Sequence, residues 1–300
     1  MATDRGSGEV SESDYTVRSN FHTPPEQFDG CFTTFYHLSL TVENGGSVHD
    51  YLQPEWGNIR FFCGGLPRAK IGTSQVSGAS FNATGPSSLP AEFELGTSEM
   101  WGIGFLPLGW ARFVDVDAHE LANTVCDGAQ HPDFAKFALL EKTLCDPEAT
   151  RDEQFAAIVD LMGRVMRPSR DEPKIVRVHQ ALVDGEFLVV SDLADACGMS
   201  IRTLERVCRK YFGFTPKKLM RRQRFTRSLT SFMLHQGSRW TEAMDGEYHD
   251  QAQFTREFRE FMTMNPSEYA ALDHPILSSF MEARARVWGS AAQALDKPNR

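Results

Sequence analysis

No apolar run in the 300-residue chain approaches the ~18 to 20 residues of a membrane span. That weighs against a helical membrane protein. The opening stretch, MATDRGSGEVSESDYTVRSN, has no apolar signal core, so the expected location is the cytoplasm. Six cysteines (Cys31, Cys63, Cys126, Cys145, Cys197 and Cys208) are scattered without a CxxC pair. This argues against a disulfide framework or a structural zinc site and for buried free thiols in a reducing compartment. The nine histidines include no HxH pair, so the close-set ligands of a β-roll metal site are missing. GIGFLPLGW lacks GxGxxG spacing and reads as a strand and turn, and GPSSLP is a turn-rich loop rather than a nucleophile elbow. Neither a catalytic centre, a metal nor a cofactor is expected.

Positive charge crowds into one stretch. The chain carries a formal charge of −9, yet the stretch Arg202–Arg227 holds ten Lys or Arg against the single acid Glu205. Residues 174–269 carry a net +3, which leaves −12 for the remainder. Phosphate repulsion should keep that acidic part off a nucleic acid.

From about Pro25 to Phe113 the chain reads as β. In CFTTFYHLSLTV, Phe32, Thr34, Tyr36, Leu38, Leu40 and Val42 fall on one face and Thr33, Phe35, His37, Ser39 and Thr41 on the other. NIRFFCGG, AKIGTSQV, AEFEL and MWGIGFLPLG follow as shorter candidates. Many short strands predict a small sandwich, roll or barrel. Their aromatics fill its core, with a few left to line a pocket for a small molecule. DAHELANTV, DFAKFALLEKTL and RDEQFAAIVDLMGRVM then carry helical spacing. The stripe Phe155, Ile158, Val159, Leu161 and Met162 fits either a core-facing helix or a dimer-forming one. RPSRDEP, residues 167–173, is the best boundary. The expected plan is a disordered tail over 1–24, a β-rich sensory or dimerisation domain with C-terminal helices over 25–170, an α-helical domain over 171–272, and a partly helical tail over 273–300.

VSDLADACGMSIRTLERVCRKYFG has the parts of a helix-turn-helix. Ser191 and Asp192 are placed to cap a first helix whose small inward residues let a second helix cross closely. Gly198 supplies the left-handed turn. Ser200 caps the second helix, with Leu204, Val207 and Tyr211 spaced to bury. Arg202, Glu205 and Arg206 then face outward, suited to base edges in a major groove. Arg209, Lys210, Lys217, Lys218, Arg221 and Arg222 suit phosphates. About fifty residues on, AMDGEYHDQAQFTREF echoes LADACGMSIRTLERVC. Asp250 is the second cap, and Arg256 stands where Arg206 does. Phe254 and Phe258 match Leu204 and Cys208. Gln251, Gln253, Thr255 and Arg256 face outward as a second set of base contacts.

These segments, the Arg-rich RRQRFTRSLTSFM between them and YHDQAQFTREFREFMTMNPSEY resemble the DNA-binding domain of the AraC/XylS family of transcription regulators over Lys174 to Leu272. The resemblance implies an α+β multidomain protein: an N-terminal β-rich, cupin-like roll with trailing helices, and a C-terminal all-α domain with two helix-turn-helix motifs. It further implies double-stranded DNA as partner, a homodimer, contact with RNA polymerase, a small-molecule effector and activation as the commoner mode. One departure is Glu247, at a second turn where the family has Gly. That turn should cost on the order of 1 kcal/mol. Another departure is the acid Glu205 in the first recognition helix. Two rival readings remain at the level of sequence: a β-roll enzyme with an appended DNA-binding module, and a protein-binding scaffold whose DNA reading has decayed.

Overall fold

The computed structural model describes residues 4–12, 14–185, 187–235, 240–246 and 248–298. The N-terminal part consists of strands β1 (Asp4–Glu12), β2 (Tyr15–His22), β3 (Phe32–Val42), β4 (Val48–Leu52), β5 (Asn58–Gly64), β6 (Arg68–Ile71), β7 (Ser74–Ser77), β8 (Phe81–Thr84), β9 (Ala91–Leu95) and β10 (Ser98–Phe105). Helix α1 (Pro107–Phe113) and a short strand β11 (Val125–Asp127) follow. The strands form a seven-stranded sheet in the order β1-β2-β3-β10-β5-β8-β11 and a four-stranded sheet in the order β4-β9-β6-β7. All pairings are antiparallel.

The alternation of β3 sorts its side chains between two buried faces rather than between core and water. Tyr36, Leu38 and Leu40 join Val17, Phe21 and Phe62 in one cluster. Phe35 stacks toward Phe155, and His37 toward Trp101. Strand β3 lies inside its sheet between β2 and β10, and from Phe32 to Leu38 it is buried on both faces.

Three expectations are corrected here. Residues 1–24 do not form a disordered tail over their described length: β1 pairs with β2, and β2 with β3. An exposed strand edge recruits a polar strand through backbone hydrogen bonds alone, and Val17 and Phe21 are fully buried. Cys63 and Cys145 form a disulfide across 82 residues, their Cα atoms 5.2 Å apart. The bridge needs nearness in space, not in sequence. The other four cysteines are free; burial raises the thiols of Cys31 and Cys126 to about 11. The residues of DAHELANTV form turns, ending with Asn123 in the left-handed region at φ +59°. Their fold is set by the neighbour they seat, described below.

The helices after β11 are α2 (Glu141–Leu144), α3 (Arg151–Val165), α4 (Glu172–Asp184), α5 (Val190–Ala196), α6 (Ile201–Val207), α7 (Pro216–Leu234), α8 (Trp240–Ala243), α9 (Gln251–Met262), α10 (Pro266–Ala270) and α11 (Leu277–Trp288). Thr150 and Glu153 cap α3 reciprocally, and its Ile158, Leu161 and Met162 face the core. Among the described residues no helix is long and apolar enough to cross a membrane. The molecule thus has a β-rich N-terminal part and a helical C-terminal part. One hydrophobic core nevertheless runs from Phe32, Trp56 and Phe105 through α1, α3 and α4 to Leu204, Phe212 and Leu219. Helix α11 folds back onto the β domain, where Phe280 packs against Phe21 and Tyr36.

Candidate nucleic-acid interface

Helices α5 and α6 cross at a turn made by Gly198, whose φ is +61°. The turn closes with Gly198 N–H donating to Asp195 O at 2.9 Å and Met199 N–H to Ala194 O at 3.0 Å. Ser200 caps α6, its Oγ accepting from Thr203 N–H at 3.2 Å. By contrast, α5 begins after Val189 with no side-chain cap; Ser191 and Asp192 lie inside the helix and hydrogen-bond to each other instead. Leu204, Val207 and Cys208 are fully buried, and Tyr211 nearly so. The helix widens into a π turn at Cys208–Phe212 and ends at Gly213, left-handed at φ +85°.

The second unit repeats this plan. Asp250 Oδ1 accepts from Gln253 N–H at 2.6 Å and starts α9. Phe254 and Phe258 are buried as Leu204 and Cys208 are. Arg206 and Arg256 are both exposed. Glu247 lies outside the described residues. Gly246 does not adopt a positive φ, unlike Gly198 in the first turn.

The outward faces carry most of the residues expected there. Arg202, Glu205, Arg206 and Arg209 are exposed along α6 and its π turn. Gln251 and Arg256 are exposed on α9, with Gln253 and Thr255 half-buried. Gln253 Oε1 accepts from His249 N–H at 3.2 Å, and Thr255 Oγ1 donates back to Gln251 O at 2.9 Å. These internal bonds leave Gln251 and Arg256 the freer pair. Arg206 reaches Asp171 at 3.4 Å. That carboxyl is held below its usual range, first by a hydrogen bond from Lys174 and further by bonds from Tyr211 and Arg206.

The phosphate candidates divide. Lys217 is exposed, and Lys218 lies half-buried over the Phe214 ring. Lys210 sits 4.0 Å from Asp117. Arg221 is tied to Glu257 at 2.8 Å and also pairs with Glu260. Arg222 is a correction: it is fully buried and not available to a phosphate. Its guanidinium lies 3.9 Å over Trp56 and donates to Ser87 O at 2.9 Å. Burial lowers it to about 9. Helical periodicity places Arg222 one step round from Arg221, on the face that meets the β domain.

Several residues important to this layout carry no signal in their immediate sequence. Buried Glu257 accepts from Arg221, from Arg224 at 2.7 Å and from Tyr248 at 2.9 Å, locking α7 to α9. Ala118 N–H donates to Lys210 O at 2.8 Å, and Gly213 approaches Pro86 and the Ala118 carbonyl so closely that a Cβ would meet them at 3.1 to 3.3 Å. The 117–123 turn is the seat of the first unit. On the outer side of the same turn, Asp117, His119 and Glu120 bring possible ligand atoms within 4.8 Å of one another; exposed acids often cluster so without an ion.

Residues 193–271 match the model of a helix-turn-helix domain family. No curated protein matches the sequence. Among solved structures, ToxT from Vibrio cholerae is similar at 8% identity and a TM-score of 0.44, covering 86% of this chain and 98% of its own. The AraC-like transcriptional activator CuxR is similar at 14% identity and a TM-score of 0.31, covering 73% and 83%. The nucleoside dehydratase Pac13 aligns at 9% identity and a TM-score of 0.24, over 35% of this chain and 80% of its own. These are loose likenesses, every TM-score lying below 0.5.

Proposed function

We propose that this chain is a sequence-specific transcription regulator that reads double-stranded DNA through α6 and α9 in successive major grooves. The observation that carries the reading is the duplicated arrangement: two capped helices with buried inner faces and outward Arg or Gln, joined by the single helix α7. Arg202, Glu205 and Arg206 of the first unit and Gln251, Gln253, Thr255 and Arg256 of the second are the base contacts in this reading. Arg209, Lys210, Lys217 and Lys218 take phosphates, with Arg221 contributing only if it leaves Glu257 and Glu260. The β domain senses an effector or joins two copies, and activation through RNA polymerase is the output. The acidic β part is kept off the duplex by its charge.

Selection of bound fragments from random duplex DNA by the full chain, followed by sequencing, tests the reading. A two-part motif with its halves about one helical turn apart is the expected result. Recovery of fragments with no shared motif would overturn it.

A further inference from the structure

The disulfide between Cys63 and Cys145 lies at an open corner of the β domain. Cys63 is next to last in β5, Cys145 directly follows α2, and both are half-buried. Their neighbours Gly64, Lys142 and Asp146 are exposed, so a thiolate from solvent can reach the bond. The free cysteines offer less. Cys31, Cys197 and Cys208 are buried, and Cys126 is half-buried. Burial raises all four thiols. A raised thiol exchanges slowly, because the thiolate is the nucleophile. One pair of sulfurs is thus singled out for exchange.

The corner suits both oxidation states. Cys63 Sγ lies 3.4 Å from Leu144 O, and Cys145 Sγ lies 3.6 Å from Phe62 O. In the disulfide neither sulfur carries a proton; once reduced, each S–H has a carbonyl ready to accept it. The bond also closes onto α3. Leu144 O accepts from buried Gln154 at 3.1 Å, and Gln154 Oε1 accepts from Trp101 Nε1 of β10 and from Arg151, each at 2.8 Å. Arg151 in turn reaches Glu99 at 2.7 Å. The start of α3 is therefore fixed to the large sheet beside the bond. Further along α3, Ile158, Leu161 and Met162 share one core with Leu204, Val207 and Phe212 of the first helix-turn-helix unit.

A protein that works on DNA inside a cell sits among thiols kept reduced, where a disulfide is more often transient than structural. That step rests on the proposed function. From the open position of the bond, the carbonyls that await both thiols and the hold on α3, we propose that Cys63 and Cys145 form a reversible redox switch that sets how firmly α3, and the core beneath the first unit, is held. To open it, a glutathione thiolate attacks one sulfur of the bond and forms a mixed disulfide. The other cysteine leaves as a thiolate and takes a proton. A second glutathione thiolate attacks the glutathione sulfur of the mixed disulfide and frees the first cysteine, which is protonated in turn. Two electrons pass to the protein, and the two glutathiones leave as one disulfide. Closing is the reverse, with oxidised glutathione as oxidant.

The test equilibrates the full chain, without DNA, in glutathione buffers running from the oxidised form alone to about 10 mM of the reduced form, a range that spans a cytosolic poise. Acid quenching, alkylation after denaturation and peptide mass spectrometry then report each cysteine. Cys63 and Cys145 should pass together from disulfide to free thiols while the chain stays folded, and pair again when oxidised glutathione is restored. Cys31, Cys126, Cys197 and Cys208 should stay free throughout. Amide exchange over α2 and α3 should run about ten-fold faster in the reduced protein. Cys63→Ser should show the fast exchange in both buffers; if it does not fold, Cys145→Ala replaces it, and the reduced wild type needs no variant. A bond that yields to glutathione only when the chain unfolds would overturn the switch. So would failure to pair again, a stable glutathione adduct, another cysteine pair in its place, or equal amide exchange in the two states. DNA selection is scored separately, so a chain that switches but selects no motif loses the regulator reading alone.

Discussion

The two helix-turn-helix units share a plan and differ in what lies beneath them. The first has no core of its own. Leu204, Val207, Cys208 and Phe212 belong to the large cluster that also contains Trp56, Phe61 and Phe105 of the β domain. Phe212 packs 5.7 Å from Trp56, and His179 packs beside both. The second unit closes on itself: Phe225, Leu229, Tyr248, Phe254, Phe258, Phe261, Met262 and Tyr269 form a separate aromatic cluster. One unit is thus a face of the β domain, and the other is a satellite hung on α7. Their relative placement depends on how α7 is held, and Arg222 and Gln223 hold it from opposite sources, the β loops and the C-terminal segment.

The largest expected effects break this comparison directly. Phe212→Ala should cost about 3–5 kcal/mol and lower the stability of β domain and first unit together. Phe258→Ala should cost a similar ~3–5 kcal/mol but speed amide exchange chiefly within the second unit. Exchange mass spectrometry distinguishes them. Matching exchange patterns in the two variants would mean the cores are one.

A next prediction asks which unit supplies specificity. Arg206→Ala should lose ~1–3 kcal/mol of specific affinity and relax discrimination at one base pair, with Arg256→Ala losing less. Lys218→Ala should weaken all sequences alike and reduce the salt slope by roughly one ion. Competition binding at two salt concentrations separates these outcomes. If Arg206→Ala weakens specific and random DNA equally, α6 is not the reading helix.

Acid should loosen the first unit before the second. Burial, with some help from the Arg222 charge, lowers His179 to about 3, so the folded state keeps it neutral. Its stabilising contribution is complete above about pH 6.5 and is lost as pH falls from there toward 3, at up to about 1.4 kcal/mol per pH unit. His37, also lowered by burial, adds to the slope from within the β domain. The measurement is therefore a difference: urea midpoints at pH 7 and pH 5 for the wild type and for His179→Phe. Equal pH slopes in the two proteins would remove His179 from the account.

The smallest effect concerns Asp171, which engages Arg206, Lys174 and Tyr211. Asp171→Asn should free Arg206 and raise DNA affinity by about two-fold, the scale of an exposed ion pair. A gel-shift titration at low salt reads it. Lowered affinity would show that Asp171 positions Arg206 rather than competing for it.

The sequence by itself determined the parts whose physics is local. A Gly after a short helix, a Ser or Asp before the next, and apolar residues three and four apart dictate two helix-turn-helix units wherever they sit, because turn, cap and amphipathic face each span only a few residues. Alternation likewise dictated β3. Tertiary structure decided what those parts meet. It took the basic run apart, sending Arg222 under Trp56 and Arg224 to Glu257 while leaving Arg202 and Arg209 outside. It brought Cys63 to Cys145, paired the N-terminal strands, and laid α11 over the β domain. Charge and sulfur act through space, over a few ångströms, between residues tens to hundreds apart in the chain, and no local pattern records which neighbours will arrive.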